Sequence, residues 1–382
     1  MKRVVTQPRA DWERLVLSQG LAYSRLSNRA PYWDESAYYQ FGSSEIDALE
    51  AATNKLHEMC LAAVQHVIDH DLFARLHISD LAADLIRKAW DAEPPAIYGR
   101  FDLAYDGNQV KMLEYNADTP TALIEAAVVQ WYWMKDRFPD ADQFNSIHDR
   151  LVAKWKELRQ YCGSPLFFAG IDGPSHEDLM TLTYLADTAR QAGHNVALLK
   201  MGQIGYDHDY SRFVSPSNQP VKSIFKLYPW EWMIAEEFAQ HLAQTSVSTD
   251  WIEPAWKMVL SNKGILVVLW EMYPDHPYLL PAYFESEQAE RLVEYCRKPI
   301  FGREGNNVSI RQHGITMATN GGDYGKEGFV QQSVAPIPEF DGRFPVLGSW
   351  VIDGESAGVG IRESATMISD NTSCFVPHMF CT

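Results

Sequence analysis

Positive charge is scarce in this sequence of 382 residues, in which 33 lysines and arginines face 50 aspartates and glutamates. The formal net charge at pH 7 is −17. A chain with this balance lacks the cationic surface that neutralises phosphate groups, so we expect neither a nucleic acid nor an anionic membrane as its partner. A local cationic pocket for a small anion remains compatible with the composition.

Cysteine pairs and long apolar runs are also missing. The five cysteines are scattered and never have the Cys-x-x-Cys spacing, which argues against a disulfide framework and a cysteine-rich zinc site. The longest apolar run, residues 264–270, is far shorter than the roughly 20 residues that cross a bilayer. Charged residues follow the first eight residues, where a secretory signal would have an apolar core. We therefore expect a soluble protein of a reducing compartment, the cytoplasm.

The spacing of apolar residues indicates a mixed α/β chain without internal repeats. A mainly helical pattern comes first, a strand–turn–strand pattern with further helices follows, and a β-α-β pattern comes next. Short strands alternate with glycine-rich turns in the last part of the chain. The predicted bounds of these four segments are 1–95, 96–162, 163–250 and 251–382.

Three local predictions within these segments concern single motifs. Ser44 and Asp47 have the spacing of a capping box, which predicts that a long helix starts there. The apolar run 265–270 is interpreted as a buried strand. The G-x-S-x-G pattern at 354–358 is similar to a hydrolase nucleophile motif, but residues on both sides of it alternate as in strands. We therefore interpret it as the turn of a β-hairpin.

The hairpin predicted between residues 97 and 116 carries an unusual set of polar side chains. Arg100 and Asp102 share one face of the first strand, and Glu114 and Asn116 share one face of the second, because side chains alternate along a strand. A three-residue turn at 106–108 would place Arg100 opposite Glu114 and all four side chains on one face. Two carboxylates and an amide oxygen suit Mg²⁺, and the arginine can bind a phosphate or a carboxylate. We favour a magnesium site over a solvent-exposed charged face.

Two lysines and a glycine-bearing turn in the last segment could bind the phosphates of a nucleotide. Lys263 precedes the predicted strand 265–270, and Lys298 leads into a turn at 299–307 whose backbone N–H groups could bind phosphate oxygens. Gln332 ends an apolar strand, where its amide could bind the edge of adenine. Each feature alone is weak, because most lysines beside strands are solvated, but the order of the features is informative.

The order of these motifs resembles that of the ATP-grasp ligases. The usual order places the lysines before the metal carboxylates, whereas here the carboxylates come first, as in the circularly permuted branch. Within that branch the chain is similar to the synthetase domain of the glutathionylspermidine synthase family, without the amidase domain of its bifunctional members. The residues that carry the resemblance are 98–102 (YGRFD), 113–118 (LEYNAD), 298–305 (KPIFGREG) and 360–363 (GIRE).

The resemblance implies a circularly permuted ATP-grasp fold with a helical N-terminal segment. Residues 96–162 would supply the metal-binding hairpin and the following helices of the core. Residues 163–250 would form an inserted Rossmann-like βαβ substrate domain. Residues 251–382 would form the ATP-binding lid and the C-terminal part of the core.

The resemblance also implies roles for ten residues. Arg100 and Arg362 are expected to be catalytic and to bind the transferring phosphate or the acid, and Thr119 is expected to lie beside the acid substrate. The expected Mg²⁺ ligands are Asp102, Glu114 and Asn116. The residues expected to contact ATP are Arg100, Asp102, Lys263, Lys298, Gln332 and, in a loop over the phosphates, Gly305.

The implied activity is the ATP- and Mg²⁺-dependent joining of a carboxylic acid to an amine through an acyl phosphate. The expected partners are a small-molecule or peptide acid and an amine, with polyamines among the candidates because a negative surface attracts them. Family members that consist of the synthetase part alone need not use glutathione or spermidine, so both substrates stay open, as does the oligomeric state. The alternatives are a small-molecule kinase that uses the same ATP site and a non-catalytic nucleotide-binding module.

Overall fold

The computed structural model describes residues 1–171, 177–245, 248–288 and 292–381, and it has a mixed α/β fold. Its strands are β1 (Lys2–Val5), β2 (Ala37–Gly42), β3 (Tyr98–Tyr105), β4 (Val110–Asn116), β5 (Leu166–Gly170), β6 (Val196–Lys200), β7 (Gly205–Asp207), β8 (Arg212–Val214), β9 (Ser223–Leu227), β10 (Asp250–Ile252), β11 (Ala282–Phe284), β12 (Tyr295–Pro299), β13 (Ser309–Gln312), β14 (Ile315–Thr319), β15 (Phe329–Ser333), β16 (Phe344–Ile352), β17 (Glu355–Ser364), β18 (Cys374–Val376) and β19 (His378–Cys381).

The described α-helices range from four to 27 residues, and no described helix combines the length and the apolarity needed to cross a bilayer. They are α1 (Trp12–Ser18), α2 (Ser43–Asp69), α3 (Asp80–Ala92), α4 (Gln130–Arg137), α5 (Ile147–Glu157), α6 (Glu177–Gln191), α7 (Trp230–Ala235), α8 (Ala239–Gln244), α9 (Lys257–Ser261), α10 (Ile265–Met272) and α11 (Glu285–Gln288).

Three sheets contribute to the site. The hairpin sheet has the strand order β18-β17-β16-β3-β4 and the lid sheet the order β11-β15-β12-β13-β14, and both are antiparallel. The parallel sheet has the order β10-β9-β5-β6. A smaller sheet, β1-β2-β19, joins the N-terminal part of the chain to its C-terminal part.

The predicted hairpin forms, but its register differs from the prediction. Arg100 lies opposite Asn116 rather than Glu114, and Asp102 lies opposite Glu114. The turn contains residues 106–109, one more than predicted, and a bulge after Asp102 inserts a further residue. Each change alone shifts the register by one residue and would move the polar side chains of one strand to the opposite face of the sheet. Together the two changes shift the register by two residues, so the four polar side chains still share one face.

Two further local predictions are wrong in detail. The long helix α2 begins at Ser43. Its N-terminus is capped by Glu45, whose carboxylate accepts a hydrogen bond from the backbone N–H of Gly42 at 2.9 Å, and not by the predicted capping box at Ser44 and Asp47. The apolar run 265–270 is the helix α10, not a strand. Residues 265–269 of that helix are all buried, so the sequence shows no polar face from which a helical period could be read.

The β-α-β prediction is confirmed by β5, α6 and β6. The two strands pair in parallel, and α6 connects them along the chain. The hairpin interpretation of 354–358 is confirmed as well, because β16 and β17 pair on either side of a turn at Asp353 and Gly354. The carboxyl ends of β5 and β9 reach the cavity described next, where Ile171 and Leu227 form part of its lining. Loops at the carboxyl ends of parallel strands are the common place for ligand sites.

Candidate active site

One cavity collects all ten residues that the sequence singled out. It lies where the hairpin sheet, the lid sheet and the carboxyl ends of the parallel sheet meet. The ten residues in its lining are Arg100, Asp102, Glu114, Asn116, Thr119, Lys263, Lys298, Gly305, Gln332 and Arg362. Side chains from distant parts of the chain are therefore close enough to act on one ligand.

Asp102 joins the two predicted catalytic arginines. Its Oδ1 accepts a hydrogen bond from Nε of Arg100 at 2.8 Å, and its Oδ2 accepts one from Nη2 of Arg362 at 2.9 Å. Arg100 also donates to the carbonyl oxygen of Thr121 at 2.7 Å. Asp102 is buried, so these charge-assisted bonds hold both guanidinium groups at the hairpin wall of the cavity.

Glu114 lies directly across the hairpin from Asp102 and is held by a cation of its own. The Nζ atom of Lys263 lies 3.2 Å from its Oε2, and the amide of Asn116 donates to its Oε1 at 3.1 Å. Burial raises the pKa of the Glu114 carboxyl, but the ammonium groups of Lys263 and Lys298 outweigh burial and lower the pKa to about 2. Glu114 is therefore an anion throughout the physiological pH range.

The donor set of this wall fits a magnesium ion. Two carboxylates facing each other across a hairpin repel, and here arginine and lysine side chains neutralise them. Because the amide nitrogen of Asn116 faces Glu114, its oxygen remains as a third hard donor. No group of three or more His, Cys, Asp and Glu side chains with metal-site geometry occurs among the described residues, so the candidate site depends on that amide.

Lys298 connects the lid sheet to the hairpin. Its Nζ atom donates to the carbonyl oxygen of Leu113 and to Oε1 of Gln332, both at 2.9 Å. The amide nitrogen of Gln332 in turn donates to the carbonyl oxygen of Met112 at 3.0 Å. The Gln332 amide, which the sequence suggested for the adenine edge, is thus engaged in holding the lysine.

The turn after β12 forms the outer wall of the cavity. Lys263 donates to the carbonyl oxygen of Gly302 at 2.6 Å and so ties this turn to the start of α10. Glu304 and Gly305 both have left-handed backbone angles, with φ values of 54° and 66°. A Cβ atom at Gly305 would collide with the carbonyl oxygen of Ser369, so the absence of a side chain lets the two loops approach each other.

Arg303 is a site residue that the sequence reasoning missed. Its Nη1 donates to Oγ1 of Thr119 at 2.7 Å, and its Nη2 lies 2.6 Å from Oε1 of Glu231. Arg303 therefore connects the turn at 299–307, which the sequence suggested for phosphate binding, to Thr119, which was expected to lie beside the acid substrate. A signal was present, because Arg303 lies inside the 298–305 motif, whereas no local pattern marks Glu231.

Asp178 forms an acidic part of the lining that was also missed. Burial and the charges of Glu177 and Glu304 raise the pKa of its carboxyl to about 6, against the opposing effect of Arg303. It stands in the first turn of α6, close after β5. The predicted β-α-β pattern could have directed attention to it, since such loops commonly line ligand sites.

Comparison with known families identifies the chain. Residues 3–381 match the family model described as "Glutathionylspermidine synthase preATP-grasp". The chain belongs to this family. The resemblance inferred from the four motifs is therefore confirmed.

Individual relatives cover the chain to different extents. It is 42% identical to a Haemophilus influenzae protein provisionally named an acid–amine ligase, and the match spans 100% of both chains. It is 29% identical to a trypanothione synthetase of Crithidia fasciculata, with 84% of this chain matched. It is 24% identical to a bifunctional glutathionylspermidine synthetase/amidase of Escherichia coli, with 93% matched. The chain spans only 53% and 61% of the lengths of these last two proteins.

A solved structure supports the fold. A glutathione synthetase-like effector from Globodera pallida aligns with a TM-score of 0.60 over 97% of this chain and 95% of that chain, at 11% sequence identity. At that identity the likeness concerns the arrangement of strands and helices alone.

Proposed function

We propose that the protein is an ATP- and Mg²⁺-dependent ligase that joins a carboxylic acid to an amine and releases ADP and phosphate. The observation that carries the proposal is the 3.2 Å contact between Lys263 and Glu114, with Lys298 bonded to the same hairpin through Leu113. These contacts support the proposal, because a metal-bound triphosphate would need cations beside a pair of oxygen-donor carboxylates. The names of the matched relatives, an acid–amine ligase and two synthetases, agree with this reaction class.

In the proposed first step, an oxygen of the substrate carboxylate attacks the γ-phosphorus of ATP. The bond from that phosphorus to the bridging oxygen breaks, which gives an acyl phosphate and ADP. Lys263 and Lys298 would neutralise the phosphates of the nucleotide. Arg100 and Arg362, which Asp102 holds side by side, would stabilise charge on the transferring phosphoryl group.

In the second step, the neutral amine attacks the acyl carbon, the bond from that carbon to the phosphate oxygen breaks, and the amide forms as the nitrogen loses one proton to solvent and phosphate leaves. The acyl phosphate is required because a free carboxylate is a poor electrophile. Mg²⁺ held by Asp102, Glu114 and Asn116 would supply Lewis-acid neutralisation of the phosphate oxygens. Thr119, bonded to Arg303, would orient the acid, and Gly305 would keep its loop close over the phosphates.

The wider architecture is part of the proposal. We infer a circularly permuted ATP-grasp core formed by residues 96–162 and 251–382, with residues 163–250 as a Rossmann-like substrate domain and 1–95 as a mainly helical N-terminal segment. The parallel order of β10, β9, β5 and β6 supports the substrate domain. We further propose a polyamine-like amine as one substrate, since two of the relatives carry trypanothione or glutathionylspermidine in their names.

The test is a product analysis of the whole protein with ATP, Mg²⁺ and paired acids and amines, including glutathione with spermidine. The proposal expects ADP, phosphate and a product whose mass equals acid plus amine minus water. Lys298→Met should abolish product, whereas the exposed Lys326→Met should not. A phosphorylated acid that never reacts with an amine would identify a kinase, and nucleotide binding without turnover under every pairing would identify a binding module.

A further inference from the structure

A second cavity, of about 470 Å³, lies on the other side of the hairpin sheet. Tyr115 forms part of its wall, and the alternation of side chains puts Tyr115 on the opposite face of β4 from Glu114 and Asn116. Tyr115 stacks on Phe101 with ring centroids 3.8 Å apart. The second cavity is thus separated from the candidate active site by the thickness of one sheet.

Aromatic and proline side chains form much of this second cavity. Aromatic rings give a flat apolar body a large contact area and attract cations through their faces, and proline rings add apolar contact area. Tyr161 is 64% exposed and stands at the mouth. The aromatic and proline residues whose side chains can face this cavity are Pro94, Pro95, Tyr115, Tyr161 and Trp256.

His57 presents a polar atom to the interior of the cavity. The residue is 8% exposed, and its Nδ1 shares a hydrogen bond with the hydroxyl of Tyr115 at 3.1 Å. Its Nε2 lies on the side of Gly354, another lining residue, and no hydrogen-bond partner for Nε2 is present in the described parts of the chain. A ring nitrogen that faces a cavity without a protein partner can exchange a hydrogen bond with a ligand group.

The charge on His57 is fixed by its surroundings. Burial and the Lys257 ammonium group lower the pKa of the imidazole to about 4, so the ring is neutral near pH 7. A neutral imidazole can accept or donate one hydrogen bond at Nε2, depending on which nitrogen carries the proton. A hydroxyl or an amide on a ligand satisfies either form.

The remaining charges favour a cation at the mouth. The Lys257 ammonium is paired with the buried Glu253 carboxylate and also donates to the carbonyl oxygen of Tyr98, so it attracts no further anion. The Lys154 ammonium lies 2.7 Å from Asp353 and 3.0 Å from Glu157.

Glu93 brings the lining to three carboxylates, Glu93, Glu157 and Asp353, against the single ammonium of Lys154. The rim therefore has a net negative charge, because the charges of Lys257 and Glu253 neutralise each other.

We propose that this second cavity binds a primary amine with an aromatic body and a terminal hydroxyl or amide. The body lies between Tyr115, Tyr161 and Trp256. The terminal group bonds to Nε2 of His57, and the ammonium group lies at the acidic rim formed by Glu93, Glu157 and Asp353. The site is distinct from the candidate active site and does not depend on the proposed ligase reaction.

Tyramine is a suitable probe, because it combines a phenol, a ring and an ammonium group. Calorimetric titration of the full chain should show saturable binding of tyramine. Phenethylamine, which lacks the hydroxyl, should bind several-fold more weakly, and 3-(4-hydroxyphenyl)propionate, an anion of similar shape, should not bind. Equal affinity for the amine and the anion, or no binding of tyramine at millimolar concentration, would overturn the proposal.

Variants of Leu61 locate the binding. Leu61 lies on α2 and lines the cavity at its partly exposed edge, so a larger side chain there fills the cavity without replacing a core residue. Leu61→Trp should weaken tyramine binding at least tenfold, while the volume-matched Leu61→Met should leave it within twofold. Removal of two rim charges by Glu93→Gln with Glu157→Gln should weaken it several-fold and reduce its dependence on salt. Tyramine binding unchanged by Leu61→Trp would contradict the assignment.

Discussion

Asp118 and Lys226 form an ion pair with no solvent exposure, with Oδ1 and Nζ 2.6 Å apart. Asp118 follows β4 and directly precedes Thr119, and Lys226 lies on β9 of the parallel sheet. The other carboxylate oxygen of Asp118 accepts the backbone N–H of Trp230 at 2.9 Å. This pair therefore fixes Thr119 relative to the start of α7, which carries Glu231, the partner of Arg303.

The first prediction concerns the stability of this pair. Lys226→Met leaves the Asp118 carboxylate buried without its cation, so the free energy of unfolding should fall by about 3–5 kcal/mol. The double variant Asp118→Leu with Lys226→Met should recover most of that loss, because it removes both buried charges. Urea denaturation measures both effects. The control is Lys55→Met, which removes one partner of the exposed Lys55–Glu58 pair and should change the free energy of unfolding by less than about 1 kcal/mol. A double variant no more stable than Lys226→Met would contradict the account.

The second prediction is a pH dependence caused by Glu125. Burial and the charge of Glu177 raise the pKa of its carboxyl to about 7 from an ordinary value of 4.5, and the hydroxyl of Tyr32 donates to it at 2.7 Å. The folded protein therefore binds more protons than the unfolded chain between these pH values. Stability should fall as the pH rises through that window, by on the order of 3 kcal/mol.

Glu125→Gln keeps an acceptor for Tyr32 and removes the titration. The variant should lose less stability than the wild type between pH 4.5 and pH 7.5 in denaturant unfolding. Because other carboxyls also titrate there, the difference between the two proteins is the quantity to measure. Identical slopes in the two proteins would contradict the prediction, because they would show that folding does not raise the pKa of Glu125.

The third prediction concerns the loop at Gly305. Gly305→Ala adds strain at a φ of 66° and a collision with Ser369, so the loop should move away from its partner and ATP turnover should fall at least tenfold. Gly314→Ala is the matched control, because its φ is 78° but a Cβ there meets no atom within 4 Å. Steady-state rates of both variants measure the difference, and equal loss in the two would mean that backbone strain alone is responsible.

The fourth prediction concerns Asp102. Asp102→Ala removes a proposed Mg²⁺ ligand and the common partner of Arg100 and Arg362, so ATP turnover should be lost while circular dichroism still reports a folded protein. Asp106→Ala, at the exposed turn of the same hairpin, should retain activity close to wild type. Phosphate release measures both variants, and turnover that survives in Asp102→Ala would remove this carboxylate from the site.

Much of this site was predictable because its residues follow local rules. Strand alternation placed Arg100 with Asp102 on one face of β3 and Glu114 with Asn116 on one face of β4, and the common face of all four depended on the predicted register. The register was not predictable, because a bulge after Asp102 has no sequence signature here. The shared face was preserved only because the longer turn and the bulge together shift the register by two residues.

Features that depend on distant contacts were missed. The helix α10 is buried along residues 265–269, and no polar positions reveal its period. The pairing of β2 with β19 joins segments more than 330 residues apart in sequence, which no local pattern encodes. Glu231 became visible only when the fold brought Arg303 to it. The local motifs thus identified the candidate reactive side chains, whereas their contact partners could be identified only from the three-dimensional structure.

The central claim is that carboxylates of the β3–β4 hairpin and lysines of the last segment bind one magnesium triphosphate. The most direct measurement is calorimetric titration with a non-hydrolysable ATP analogue, with and without Mg²⁺, because it needs no knowledge of the acid or the amine. We expect binding that depends on Mg²⁺ and weakens at least tenfold in Lys298→Met, but remains within twofold of wild type in Lys326→Met. Equal affinity in wild type and Lys298→Met, or binding indifferent to Mg²⁺, would contradict the account.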